Sequence, residues 1–171
     1  EYQQNGVVRN LNSRDGWSTL WHGHMRKKIY EIPEKIFCIS EDSDNLPACQ
    51  DMQLEFDGFE PNTNFGKIEP EIVLKSFLTE RGENYQREMS GPLLSADSCS
   101  RLSTHIAFGT ISIRTIFQRT QEQTQKKLDL VGDKLKNWRA SYNSFQKRLR
   151  WHCHFIQKLE DLRSIEWKNI H

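Results

Sequence analysis

The chain has 171 residues, enough for one ordinary domain with a real core, and its balance of 36% hydrophobic to 27% charged residues is polar but foldable. No run approaches the ~18 apolar residues of a membrane span, and the polar N-terminus lacks the form of a signal peptide; a cytoplasmic protein with no membrane partner is expected. The net charge of +1 hides a division: residues 1–100 carry 10 Lys/Arg against 17 Asp/Glu (net −7), and residues 101–171 carry 14 against 6 (net +8).

A basic C-terminal part suits a polyanionic partner such as nucleic acid; it is equally what solvated helix faces balancing an acidic half would give. The chain opens at Glu1 rather than Met and is expected to be a piece of a longer protein. The four cysteines, at 38, 49, 99 and 153, form no C-x-x-C pair and no defensible zinc spacing. Free thiols in a reducing compartment are expected.

In chain order, the first predicted element is a polar helix over 13–28. Asp15 lies in its first turn, Arg26, Lys27 and Lys28 close its end, and Trp17, Leu20, Trp21 and His24 form a buried stripe. His22 and His24 bracket Gly23, but positions two apart on a helix diverge by about 200° at about 100° per residue, so no metal is expected there. Residues 31–70 hold Pro33, Pro47, Pro61 and Pro70. From Glu41 to Glu71 nine residues are acidic against Lys67 alone. With Gly58 and Gly66 this reads as a long irregular acidic connection, with brief helical turns around Met52 to Phe56.

Pro70 then opens an amphipathic helix through Val73, Leu74, Phe77, Leu78 and Arg81, interrupted at Gly82 before Tyr85. Gly91-Pro92 breaks the chain. In the stretch Ser98–Arg114, hydroxyls crowd the start at Ser98, Ser100 and Ser103, Leu102 and Ile106 share a face, Gly109 ends the helix, and Ser112 caps the next. This is a helix start dressed to hold an anion, or an ordinary capped helix pair. Ile113, Ile116 and Phe117 anchor the following helix, and Gly132 and its neighbours read as a loose charged loop. A last long helix is predicted from Ser141 to Leu162, its core stripe Tyr142, Phe145, Leu149, His152, Ile156 and Leu159, with Trp151 and Phe155 beside it. The fold class is all-α: an irregular helical bundle preceded by a long Pro-rich acidic loop, divided at 1–66 and 67–171.

No nucleophile–base pair, P-loop or dinucleotide fingerprint is present, and no catalytic residue is assigned. In His152-Cys153-His154 the two histidines diverge and cannot chelate one ion together. Two features remain: the serine-rich helix start, and the basic helix carrying Trp151, a ring on which a base could stack.

Ser100-Arg101-Leu102-Ser103, then Phe108-Gly109, Ile111-Ser112 and Arg114, resemble the SRLSPYLxFGxISPR signature of photolyases and cryptochromes. Leu149, Arg150, Trp151 and Phe155 stand where that family has its LxWREF segment. The resemblance covers about residues 67–160 and implies that 67–171 is the first part of a helical FAD-binding domain. It implies that Tyr85, Ser100, Arg101, Leu102 and Ser103 contact FAD, the last four at its phosphate end, and that Trp151 contacts damaged DNA. The family parent is a deoxyribodipyrimidine photolyase-like lyase in which excited reduced FAD donates an electron to the lesion. Cys99 replaces a Thr, Thr104-His105 replaces Pro-Tyr, His152 replaces Arg, and Phe145 replaces a frequent Trp. Arg148 takes the place of the glutamate that contacts the bases in dimer-repairing members. A cation cannot accept those hydrogen bonds, which leaves another lesion or a signalling role open.

The family's N-terminal antenna domain and C-terminal helical half are absent from this sequence. On its own the chain is therefore expected to bind FAD weakly or not at all and to be inactive in repair. The rival reading is a non-enzymatic helix-turn-helix, 102–108 and 112–119, presenting Arg114, Thr115, Gln118 and Arg119 to a DNA groove. A helical interaction domain that keeps the shape without the cofactor is a third.

Overall fold

The computed structural model describes residues 5–31, 33–39, 42, 44, 45, 47–55 and 68–169. Among them the regular structure is helical, with no strand: α1 (Trp17–Met25), α2 (Pro70–Thr79), α3 (Tyr85–Glu88), α4 (Ser95–Ser98), α5 (Ser103–Ala107), α6 (Ile113–Lys126) and α7 (Gly132–Asp161). Short 3₁₀ turns follow α2, α6 and α7 at Arg81–Asn84, Lys127–Asp129 and Arg163–Glu166. The chain divides into two units, one made of 1–29 with 64–171 and the other of 30–63. The first helix thus belongs to the same unit as the residues after 64, although sequence alone groups it with the acidic connection.

The core of the larger unit is aromatic. Trp21 of α1 meets Phe117 of α6 edge to face at 5.3 Å, and Phe77 of α2 lies 4.6 Å from Phe145 of α7. Trp21, Phe77 and Phe117 are fully buried, each removing a large apolar area from water. Pro70 occupies the first turn of α2, where its missing N–H costs nothing. At the other end Gly82 is obligatory: a Cβ there would sit 2.5 Å from the Phe77 carbonyl oxygen and 2.8 Å from its ring.

Two boundaries differ from the sequence reading. α1 starts four residues later than predicted, after Gly16 at φ 79°, and ends at Met25. The predicted basic end, Arg26 to Lys28, lies outside it. The cause is tertiary: the Gln118 side-chain amide donates to the carbonyls of Met25 and Lys27 at 2.8 Å each, and Arg114 donates to that of Lys28 at 3.1 Å. α7 starts nine residues earlier than predicted. Gly132 is not in a loose loop but is its first residue, at φ 66°. Trp138, 2% exposed, anchors that extra length, with the Lys127 ammonium 3.9 Å from its ring centre and Tyr142 packed beside it.

The core stripe of α7 also drifts. It holds through Tyr142, Phe145 and Leu149, but continues through Cys153 and Gln157, while His152 and Leu159 are exposed and Ile156 is half-buried. Steps of four keep the stripe under the N-terminal segment. Val8 N–H donates to Gln157 Oε1 at 2.7 Å and Gln157 Nε2 donates to the Val8 carbonyl at 2.9 Å. A fully buried amide is satisfied in this way.

In the unit 30–63 the described residues are exposed. One turn forms there, with Leu54 N–H donating to the Cys49 carbonyl at 2.9 Å and Ala48 N–H to Asp51 Oδ2 at 2.9 Å. It includes Met52, where the stretch of predicted helical turns begins. Phe56, Gly58, Pro61, Gly66 and Lys67 fall outside the described residues.

Candidate functional site

Arg81 organises the serine-rich turn. Leaving the tight corner at Gly82, its Nη1 donates to the carbonyls of Asp97 and Cys99 at 2.7 Å each, its Nη2 to Ser100 O at 3.4 Å, and its Nε to Ser76 Oγ at 3.1 Å. Burial lowers the Arg81 pKa from its ordinary value, with Arg101 adding to the effect and Asp97 opposing it. The loop 97–100 is therefore built around a guanidinium that gathers its carbonyls.

The hydroxyls do not all face outward. Ser98 is 3% exposed and donates back to the Leu94 carbonyl at 2.9 Å, whereas Ser100 is half-buried and Ser103 exposed. Arg101 adopts φ 61° and its Nε donates to Ala96 O at 2.8 Å. Leu102, 1% exposed, belongs to the core. The turn beyond is closed by a contact the sequence did not announce: His105 Nδ1 and Thr110 Oγ1 are 3.0 Å apart across Gly109, at φ 70°. Ser112 caps α6, its Oγ accepting from Thr115 N–H at 3.0 Å.

Tyr85 is walled between Phe77 and Phe145, with ring centres at 5.5 and 5.8 Å. Burial pushes its phenol up, the nearby Cys99 adds to this, and Arg148 opposes it. Burial likewise raises the Cys99 thiol, against Arg101 and Arg81. The fold thus brings Tyr85, Cys99, Arg81, Arg101 and Arg148 into one electropositive neighbourhood. Of the residues that the resemblance assigns to FAD, Ser100 is half-buried and Arg101 and Ser103 are exposed at this turn. Tyr85 and Leu102 do not fit direct contact without movement, because both are sealed in the core.

The second assembly lies between α1 and the last turns of α7. Arg14, Trp17, Ser18, Arg150, Trp151, His154 and Phe155 line an open groove of about 390 Å³. Trp151 is 53% exposed and Phe155 56%, their ring centres 6.0 Å apart, and the Arg148 guanidinium lies 5.5 Å from the Trp151 ring centre. Arg150 donates to Ser18 Oγ at 3.0 Å, and Arg14 pairs with Asp161 at 2.9 Å while its Nη1 lies 3.5 Å from His154 Nε2. His154 is held below its ordinary pKa, first by burial and then by Arg14, Lys158 and Arg150, against Asp161.

No protein-family model, curated protein or solved structure matches this chain. Among the described residues no helix is long and apolar enough to cross a membrane, and no group of three or more His, Cys, Asp or Glu is placed to hold a metal. Cys153 is buried, its thiol pushed up to about 11, far from a reactive thiolate.

Each of the side chains read as facing a DNA groove also bonds within the chain. Arg114 and Gln118 hold the end of α1, with Arg114 also 2.8 Å from His24 Nε2, and Thr115 lies against Ser112. Arg119, exposed, pairs with Glu122 at 3.1 Å. The sequence reading missed Arg81 and Arg14. Their distant partners are 16 to 19 and 140 to 147 residues away, and no local pattern announces such contacts.

Proposed function

We propose that this chain is part of a flavoprotein of the photolyase/cryptochrome kind that acts on DNA, with a nucleobase stacking on Trp151. The observation that carries this reading is the groove: two half-exposed aromatic rings, Trp151 and Phe155, in a concave surface with Arg14, Arg148 and Arg150 around it. Aromatic faces take bases without regard to sequence, and arginines hold the phosphates that come with them. The signature at Ser100–Arg114 adds a second element. In this reading Ser100, Arg101 and Ser103 hold the phosphate end of FAD, and Arg81 positions them through the loop carbonyls. Bound FAD would supply the photochemical electron for a damaged base. Arg148, cationic over Trp151, would orient an anionic or carbonyl-bearing lesion edge.

The test is a titration of the chain with a fluorescent single-stranded oligothymidylate, beside Trp151→Ala. Base–aromatic stacking is worth about 1–3 kcal/mol per base, so Trp151→Ala is expected to weaken binding about tenfold or more, while for both proteins the logarithm of affinity falls linearly with the logarithm of salt concentration. Equal binding by both proteins would overturn the groove assignment. Flavin content of the full-length parent, measured with and without Ser100→Ala/Ser103→Ala, checks the cofactor end; unchanged content would overturn that part alone.

A further inference from the structure

Below Trp151 the exposed side of α7 carries a continuous apolar stripe. Trp151, Phe155 and Leu159 follow at steps of four, which puts them on one face of α7, and Leu162 is the residue that caps its C-terminal end. They are 53%, 56%, 45% and 44% exposed, although a helix of a globular protein normally turns such a stripe inward. The inward face of the same turns is already occupied by Leu149, Cys153 and Gln157. Lys147, Arg148 and Lys158 flank the stripe and Arg163 follows it. Among the described residues none of these four lies within ion-pair distance of a carboxylate. The acidic groups of that end point elsewhere, Glu160 toward Arg9 at 3.8 Å and Asp161 to Arg14 at 2.9 Å.

We propose that this stripe is the docking face for an acidic amphipathic helix of a partner protein. Anchors at i, i+4, i+8 and i+11 match the repeat of a facing helix, and a cation-flanked face without carboxylates selects an acidic one. The groove beside Trp151 and Phe155 gives a knob from that helix a hole to enter, which a flat bilayer surface does not use. Leu159 and Leu162 offer no ring for a base, so the lower stripe answers a need that nucleic acid does not. A second copy laid along the stripe would bring its own uncompensated cations against these, at a cost in repulsion.

The experiment measures fluorescence anisotropy of a labelled synthetic helical peptide, with leucines at i, i+4, i+8 and i+11 and glutamates between, on the full chain. Binding that falls with added salt, and falls about tenfold or more in Leu159→Glu/Leu162→Glu while circular dichroism is unchanged, is the expected result. A lysine-for-glutamate peptide binding equally well would overturn the proposal, as would wild-type binding by the double variant. Self-association through Leu159 and Leu162 in sedimentation equilibrium would overturn it in favour of a second copy. Capture by phosphatidylserine vesicles, lost in the double variant while the acidic peptide does not bind, would overturn it in favour of a membrane. Because the double variant retains Trp151, its oligothymidylate binding separates failure of this proposal from failure of the nucleobase reading.

Discussion

The turn at 97–112 and the groove beside Trp151 are both arginine-rich and both aromatic-walled, yet they use arginine in opposite ways. In the turn, Arg81 gives its donors to carbonyls of the loop itself. At the edge of the groove, Arg148 lies over the half-exposed ring of Trp151. A cation that completes its hydrogen bonds within the backbone is architecture; a cation beside an exposed aromatic face is open to a ligand. Residue type alone does not separate the two cases.

The largest expected effect breaks the first side of that contrast. Arg81→Ala leaves the carbonyls of Asp97 and Cys99 without their donor, and a charge-assisted set of this kind is worth about 3 kcal/mol. Thermal unfolding should drop by about 6–12 °C, while the chain that still folds keeps its oligothymidylate affinity. Gly82→Ala comes next: its Cβ overlaps the Phe77 carbonyl, and the forced shift should cost about 2–3 kcal/mol in urea unfolding. Gln157→Ala removes the pair of bonds to Val8. A loss of about 1–2 kcal/mol is expected, with faster hydrogen exchange at Val8.

Trp151→Ala sharpens the other side: stability within about 0.5 kcal/mol of the parent, and weakened oligonucleotide binding. The smallest effect is that of pH. His22 and His154, both half-buried, titrate below the ordinary histidine value because burial disfavours their charged forms, first among the causes in each case. The unfolded chain therefore takes up protons at these sites before the folded chain does. Stability is complete above the unfolded histidine value and declines as pH falls through it toward the lowered folded values. A urea midpoint that rises between pH 7 and pH 5 would contradict this.

Much of the scaffold is legible residue by residue. Pro70 opens α2, Gly109 turns, Ser112 caps α6, and Tyr142, Phe145 and Leu149 face the core, because each depends on neighbours within a turn or two. Past Leu149 the local pattern chose His152 and Ile156, and the fold chose Cys153 and Gln157. The difference is the N-terminal segment, whose Val8 backbone needs an amide partner that periodicity does not report. Gly132 misled for a similar reason, since a glycine with charged neighbours also describes a helix start when Trp138 is buried one and a half turns on. At the candidate site, Trp151 was visible as an aromatic on a basic helix, but Arg14 and Trp17 joined it only through the packing of α1 on α7.

By itself the sequence determined the all-α class, the helix near Pro70, the cap at Ser112 and the aromatic at Trp151, all consequences of local propensity and spacing. Tertiary structure decided where α1 ends, how far α7 extends, which serines face outward and which arginines give their donors to backbone carbonyls. Those outcomes rest on contacts across up to 149 residues, where hydrogen-bond satisfaction and burial outweigh any local preference.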